Sequence, residues 1–112
     1  MLDVVFRRDS HERLSSVFSG GHVEIPESSS DEYSLVCAAV SAILQAARLG
    51  LEAYVKLPLD VTQRSGELAM RWPPSSREDE RVQAIVQTAR LAVEQIATQY
   101  PQHVRVRSSL ET

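Results

Sequence analysis

Leu2, Val4, Val5 and Phe6 open the chain with a short apolar run that predicts a strand over residues 2–7. Asp9-Ser10-His11-Glu12 reads as a turn. Leu14, Val17 and Phe18 predict a second strand over 13–19, close enough to the first to make a hairpin. Gly20-Gly21 then ends that strand, because glycine permits backbone angles that other residues resist. Residues 22–33 read as loop: Pro26 and the acidic low-complexity patch Glu27-Ser28-Ser29-Ser30-Asp31-Glu32 carry no regular pattern. From Ser34 the period changes. Leu35, Ala39, Ala42, Ala46 and Leu49 recur at steps of four and three, the face of a helix, and Val36, Val40, Ile43 and Leu44 widen it. No charge occurs between Ser34 and Ala47, which predicts a helix buried on most sides. Gly50 ends it or marks a weak point before Tyr54.

There is no internal repeat in the sequence. Leu57, Leu59 and Val61 alternate with polar or turn residues, as do Leu68, Met70 and Trp72, and Ser65-Gly66 between them predicts a second hairpin. Pro73-Pro74 stops the strand, and Ser75 followed by Glu78 predicts a capping box with Ser75 as N-cap. Val82, Ile85, Val86, Ala89, Val93 and Ile96 mark one face of an amphipathic helix that Pro101 terminates. His103, Arg105 and Arg107 alternate with Val104 and Val106 in a last strand. The order β-β-α-β-β-α-β predicts one α+β domain over residues 1–112, two layers, with an antiparallel or mixed sheet and both helices on one face. The first helix carries more apolar surface than one sheet face covers, so a homodimer is expected to bury the surplus.

Composition narrows the function. With 112 residues, 43% of them hydrophobic, the chain supports one core. A net charge of −3 does not favour nucleic-acid binding, although Arg105 and Arg107 share one strand face. The N-terminus is too short and polar for a signal peptide, and no apolar run approaches the roughly 20 residues a membrane span needs. One cysteine makes neither an internal disulfide nor a Cys-rich zinc site, and three scattered histidines do not suggest a metal centre. A reduced thiol in the cytoplasm, with no metal, cofactor, nucleic acid or membrane partner, is the consistent expectation.

Chemistry concentrates at Cys37. With Ser34 as N-cap, Cys37 falls in the first helical turn, where free backbone N–H groups and the helix dipole favour a thiolate and can hold an oxyanion. His22 is the candidate general base, since imidazole exchanges protons near neutral pH and the preceding Gly21 lets it be aimed at the helix start. Ser41 lies one turn beyond Cys37 and is placed to hydrogen-bond near the thiol or back to the helix. The plainer alternative is an inert cysteine in an Ala-rich helix. His11 falls in a turn, and His103, beside Pro101, is expected to be solvated.

Two hairpin strands ending in Gly21-His22, then a loop and Leu35-Val36-Cys37-Ala38-Ala39-Val40-Ser41-Ala42, resemble the ribosomal-processing cysteine protease family Prp over nearly the whole chain. The resemblance implies a small homodimeric α/β protease that trims the N-terminal extension of a large-subunit ribosomal protein after a Phe-containing stretch. Carried onto this sequence, the nucleophile is Cys37 and its partner His22, with Gly21, Ser34 and Ser41 in support. The sequence departs from the family at Ser34, where an aspartate is usual, and in its longer, more acidic 22–37 loop; Asp31 is a candidate for the missing carboxylate. The implied mechanism has His22 take the thiol proton, Cys37 attack the scissile carbonyl, and water release the acyl-enzyme. The competing reading is a catalytically degenerate, ribosome-associated binding module of the same fold.

Overall fold

The computed structural model describes residues 1–21 and 31–111. Strands β1 (Leu2–Arg8), β2 (Leu14–Gly21), β3 (Asp60–Arg64), β4 (Glu67–Arg71) and β5 (Val104–Leu110) form one sheet in the order β3-β4-β2-β1-β5. Helices α1 (Asp31–Leu49) and α2 (Glu80–Gln99) pack on the core side. Only β1 and β5 run parallel; the other neighbours are antiparallel, so the sheet is mixed and the α+β expectation holds.

Strand register explains which side is covered. Side chains alternate across a strand, so partners in register share a face. Leu2, Val4 and Phe6 line up with Val104, Val106, Val17 and Ser19, and Val17 continues to Met70. That face meets Val36, Val40, Leu44, Ala47 and Leu51 from the first helical stretch and Val82, Val86, Ala89 and Val93 from α2. The other face carries Asp3, Val5, Arg7, Phe18, Arg71, Arg105 and Arg107, where Arg105 Nε donates to Asp3 at 2.8 Å. The first hairpin lies where the alternation places it, and Gly66 turns the second with φ +81°, a conformation few other residues adopt.

Several local expectations are corrected. The first helix begins at Asp31, inside the stretch read as loop: Asp31 and Glu32 occupy its first turn, where carboxylates favour the positive end of the dipole. Its core stripe is the second apolar set. Leu35 is 71% exposed and Leu49 65%, and Ala39, Ala42 and Ala46 face outward with them. The helix is therefore covered on one side only within a single chain. It continues through a π-helical turn, Gly50–Tyr54, so Gly50 marks a change of pitch; a Cβ there would meet Ile85 Cδ1 at 3.3 Å. By length and composition alone the 24 residues Asp31–Tyr54 suffice to cross a membrane, which corrects the expectation of no such run. The strand expected from Leu57 starts at Asp60, with Leu57 and Leu59 packed beneath as an approach segment.

The α2 entry also differs. Ser75 lies in a 3₁₀ turn, Pro74–Ser76, and the N-cap is Asp79, whose carboxylate accepts from Arg81 N at 2.8 Å. The capping box fails because Arg77 is needed in the interior. It is 3% exposed, donates twice to the Trp72 carbonyl, and meets Asp9 at 3.3 Å. Trp72 Nε1 in turn donates to the Leu14 carbonyl at 2.7 Å, so the β4–α2 connection is pinned to the first hairpin.

Candidate active site

Cys37 is half-buried, seven residues into α1. It therefore stands in the second turn. Its amide is past the four N–H groups that a helix start leaves unpaired, and it belongs to the helical ladder. Ser34 is the fourth residue of the helix, exposed, and not its N-cap. The expected oxyanion donors at the residue level of Cys37 are thus displaced one turn toward Asp31. Ser41 is exposed, and its hydroxyl makes no hydrogen bond to a described residue. His22 lies outside the described residues.

Gly21, the last residue of β2, is described, and its role differs from the one expected. Its φ is not in the left-handed region; what it provides is space. A Cβ there would stand 3.2 Å from the Tyr33 hydroxyl. Gly20 likewise leaves room for the Phe18 ring, 2.7 Å from where its Cβ would be. The end of β2 and the first turn of α1 therefore approach each other with only glycine between them.

Tyr33 stands one helical turn before Cys37. Helical side chains lean toward the N-terminus, which aims the Cys37 thiol back at the Tyr33 ring system. Burial pushes the Tyr33 hydroxyl up to about 12, and the hydrogen bond with Cys37 and the charge of Cys37 add to it. Tyr33 also packs against His103, with ring centroids 5.5 Å apart and planes tilted at 57°. His103 Nε2 lies 2.8 Å from Glu32 Oε2, and Gln102 Nε2 donates to the same oxygen at 3.3 Å. With a carboxylate as partner, Nε2 is the ring nitrogen that carries hydrogen. His103 is not the solvated residue expected: its side chain is 14% exposed.

A helix read from Ser34 leaves Glu32 and Tyr33 in the preceding loop, and His103 is read from the sequence as solvated beside Pro101. The acidic pair Asp31-Glu32 was the available start signal. With the helix begun there, Tyr33 and Cys37 fall at i and i+4. Among the described residues no group of three or more His, Cys, Asp or Glu is arranged to hold a metal ion.

The single thiol, half-buried on α1, is the group on which cysteine-nucleophile chemistry could be built. The chain belongs to the family described as cysteine protease Prp, whose pattern matches residues 1–105. This supports the protease reading over that of a degenerate binding module. No curated protein matches the chain in sequence. Solved structures share its fold. SMU.848 from Streptococcus mutans is 23% identical with a TM-score of 0.79, covering 99% of this chain and 96% of that one. The essential ribosomal processing protease Prp from S. aureus, in complex with a substrate peptide, is 20% identical with a TM-score of 0.81, covering 96% and 99%. The same protease with a covalently linked product peptide is 19% identical with a TM-score of 0.78, again covering 96% and 99%.

Proposed function

We propose that this chain is a cytoplasmic endopeptidase that removes the N-terminal extension of a large-subunit ribosomal protein, with Cys37 as nucleophile and His22 as its base. The observation that carries the reading is membership of the Prp family over residues 1–105, which takes in both residues. The S. aureus protease of like fold is a ribosomal processing protease caught with substrate and with covalently linked product, which favours a peptide substrate and a covalent intermediate here. His22 takes the thiol proton, Cys37 attacks the scissile carbonyl, and His22 returns the proton to the leaving amine before water frees the acyl-enzyme. Gly21 supports the site by the room it leaves against Tyr33. Neither a metal, a nucleic acid nor a membrane enters the scheme. Mass spectrometry of a Phe-containing ribosomal-protein extension peptide, incubated with wild type and with Cys37→Ala, tests it. Cleavage by wild type alone is expected; cleavage that persists in Cys37→Ala refutes the mechanism.

A homodimer belongs to the same reading. Leu35, Ala38, Ala42, Ala46 and Leu49 form an exposed apolar stripe whose small central residues allow another helix to approach closely. Sedimentation should give twice the chain mass for wild type and a monomer for Ala42→Arg. A monomeric wild type at micromolar concentration would sink the dimer.

A further inference from the structure

We propose that Tyr33 is a positioning residue for the Cys37 nucleophile: its hydroxyl donates to the cysteine sulfur, and His103, held by Glu32, fixes the ring that presents it. The inference rests on Cys37 being the nucleophile and adds how this chain holds it.

Three observations converge. Tyr33 and Cys37 share one flank of α1 at i and i+4, within hydrogen-bonding and electrostatic reach of one another. The hydroxyl is located from a second side by Gly21, where any side chain would crowd it at 3.2 Å. The ring is located from a third side by His103, whose 2.8 Å contact with Glu32 ties the first turn of α1 to the connection before β5. That connection is itself anchored, since Leu2 N donates to the His103 carbonyl at 2.8 Å.

The direction of the hydrogen bond follows from the chemistry. A phenol keeps its proton near neutral pH and a thiolate can only accept, so toward the thiolate Tyr33 is the donor and sulfur the acceptor. A donor aimed at sulfur stabilises the thiolate more than the thiol, because hydrogen bonds to a charged acceptor are stronger. It also orients the sulfur, which otherwise rotates among its staggered positions. The described titratable groups around Tyr33 are Cys37 and Glu32 on α1 and His103 ahead of β5. Ser34, three residues before Cys37, carries no charge.

The test is the pH profile of Cys37 alkylation by iodoacetamide, which is unambiguous because the chain has one thiol. Tyr33→Phe removes only an oxygen. Its profile should move up by about one pH unit, an alkylation rate about tenfold lower at pH 7, with the alkaline plateau unchanged. His103→Gln should move the profile the same way by a smaller amount. A Tyr33→Phe profile superimposed on wild type, with thermal stability lowered or not, overturns the proposal and leaves a packing role. Failure of the underlying reading would look different: peptide cleavage would persist in Cys37→Ala whatever the Tyr33→Phe profile.

Discussion

Replacing Asp9 by Asn should destabilise the fold by a large and pH-dependent amount. Asp9 sits in the β1–β2 turn and accepts from His11 N at 2.9 Å, Arg13 N at 3.1 Å, Arg13 Nε at 3.3 Å and Arg77 Nη1 at 3.3 Å. Burial on its own raises the carboxyl pKa. The amides of Arg13 and His11, the Arg77 guanidinium and the charge of Arg13 outweigh burial and bring it from 3.8 to about 2. At 1.36 kcal/mol per pH unit that difference is worth about 2.4 kcal/mol, and on the order of 2 kcal/mol once solvent at the turn is allowed for. Because the folded value is depressed, this stability is complete above pH 4 and is lost as pH falls toward 2. Asparagine keeps the shape and can still accept from the amides, but it turns an NH₂ toward guanidinium donors and leaves Arg77 with Trp72 O and, at 3.9 Å, Glu111. Breaking a buried pair from one side typically costs about 3–5 kcal/mol, so a loss of about 3 kcal/mol is expected at pH 7. Urea unfolding of both proteins between pH 7 and pH 2 reads it. The gap should close as wild-type Asp9 protonates. A gap that is constant across that range would show that Asn damages the turn by geometry, and a gap below 0.5 kcal/mol at pH 7 would show that the cluster carries little.

Three further outcomes follow from the packing. Val40→Ala, at a fully buried position of α1, should cost about 2 kcal/mol in urea unfolding, from lost apolar burial plus the cavity left. Trp72→Phe should cost about 2–3 kcal/mol, because it both removes volume and takes the 2.7 Å donor from the buried Leu14 carbonyl. Gly21→Ala should leave stability within about 1 kcal/mol, since the crowded neighbour is the end of a side chain. The same variant should slow Cys37 alkylation at pH 7 by pushing the Tyr33 hydroxyl aside.

The period-2 and period-3.6 patterns were enough to place the first hairpin, both helices and the last strand, because each element buries one face and the buried positions repeat at its own period. They did not say which of two apolar stripes on α1 meets the sheet. Both are regular and uncharged, and only the tertiary partner distinguishes Val36-Val40-Leu44 from Leu35-Ala42-Leu49. The capping box at Ser75 failed for a comparable reason: a local signal lost to a distant one, the buried Arg77–Asp9 contact, with partners 68 residues apart. At the site, Cys37 was legible as the single thiol on a helix. The Tyr33–His103–Glu32 group was not, since His103 lies 71 residues from Glu32 and reaches it only when β5 pairs with β1.

Helix α1 explains why one uncharged segment serves several purposes. At 100° per residue the core stripe Val36-Val40-Leu44-Ala47-Leu51 and the outward stripe Leu35-Ala38-Ala42-Ala46-Leu49 lie on nearly opposite sides, their centres about 160° apart. Tyr33 falls within about 20° of the core centre and Cys37 about 60° from it, on the flank, both well clear of the outward stripe. A second copy covering the outward stripe would therefore leave the thiol open to a peptide, while the sheet beneath holds the helix still. The polar positions of this segment, Ser34, Ser41 and Gln45, fall together between the thiol and the outward stripe and are uncharged. The absence of charge from Ser34 to Ala47 fits a helix that packs on one side and, in the proposed dimer, meets a second copy on the other.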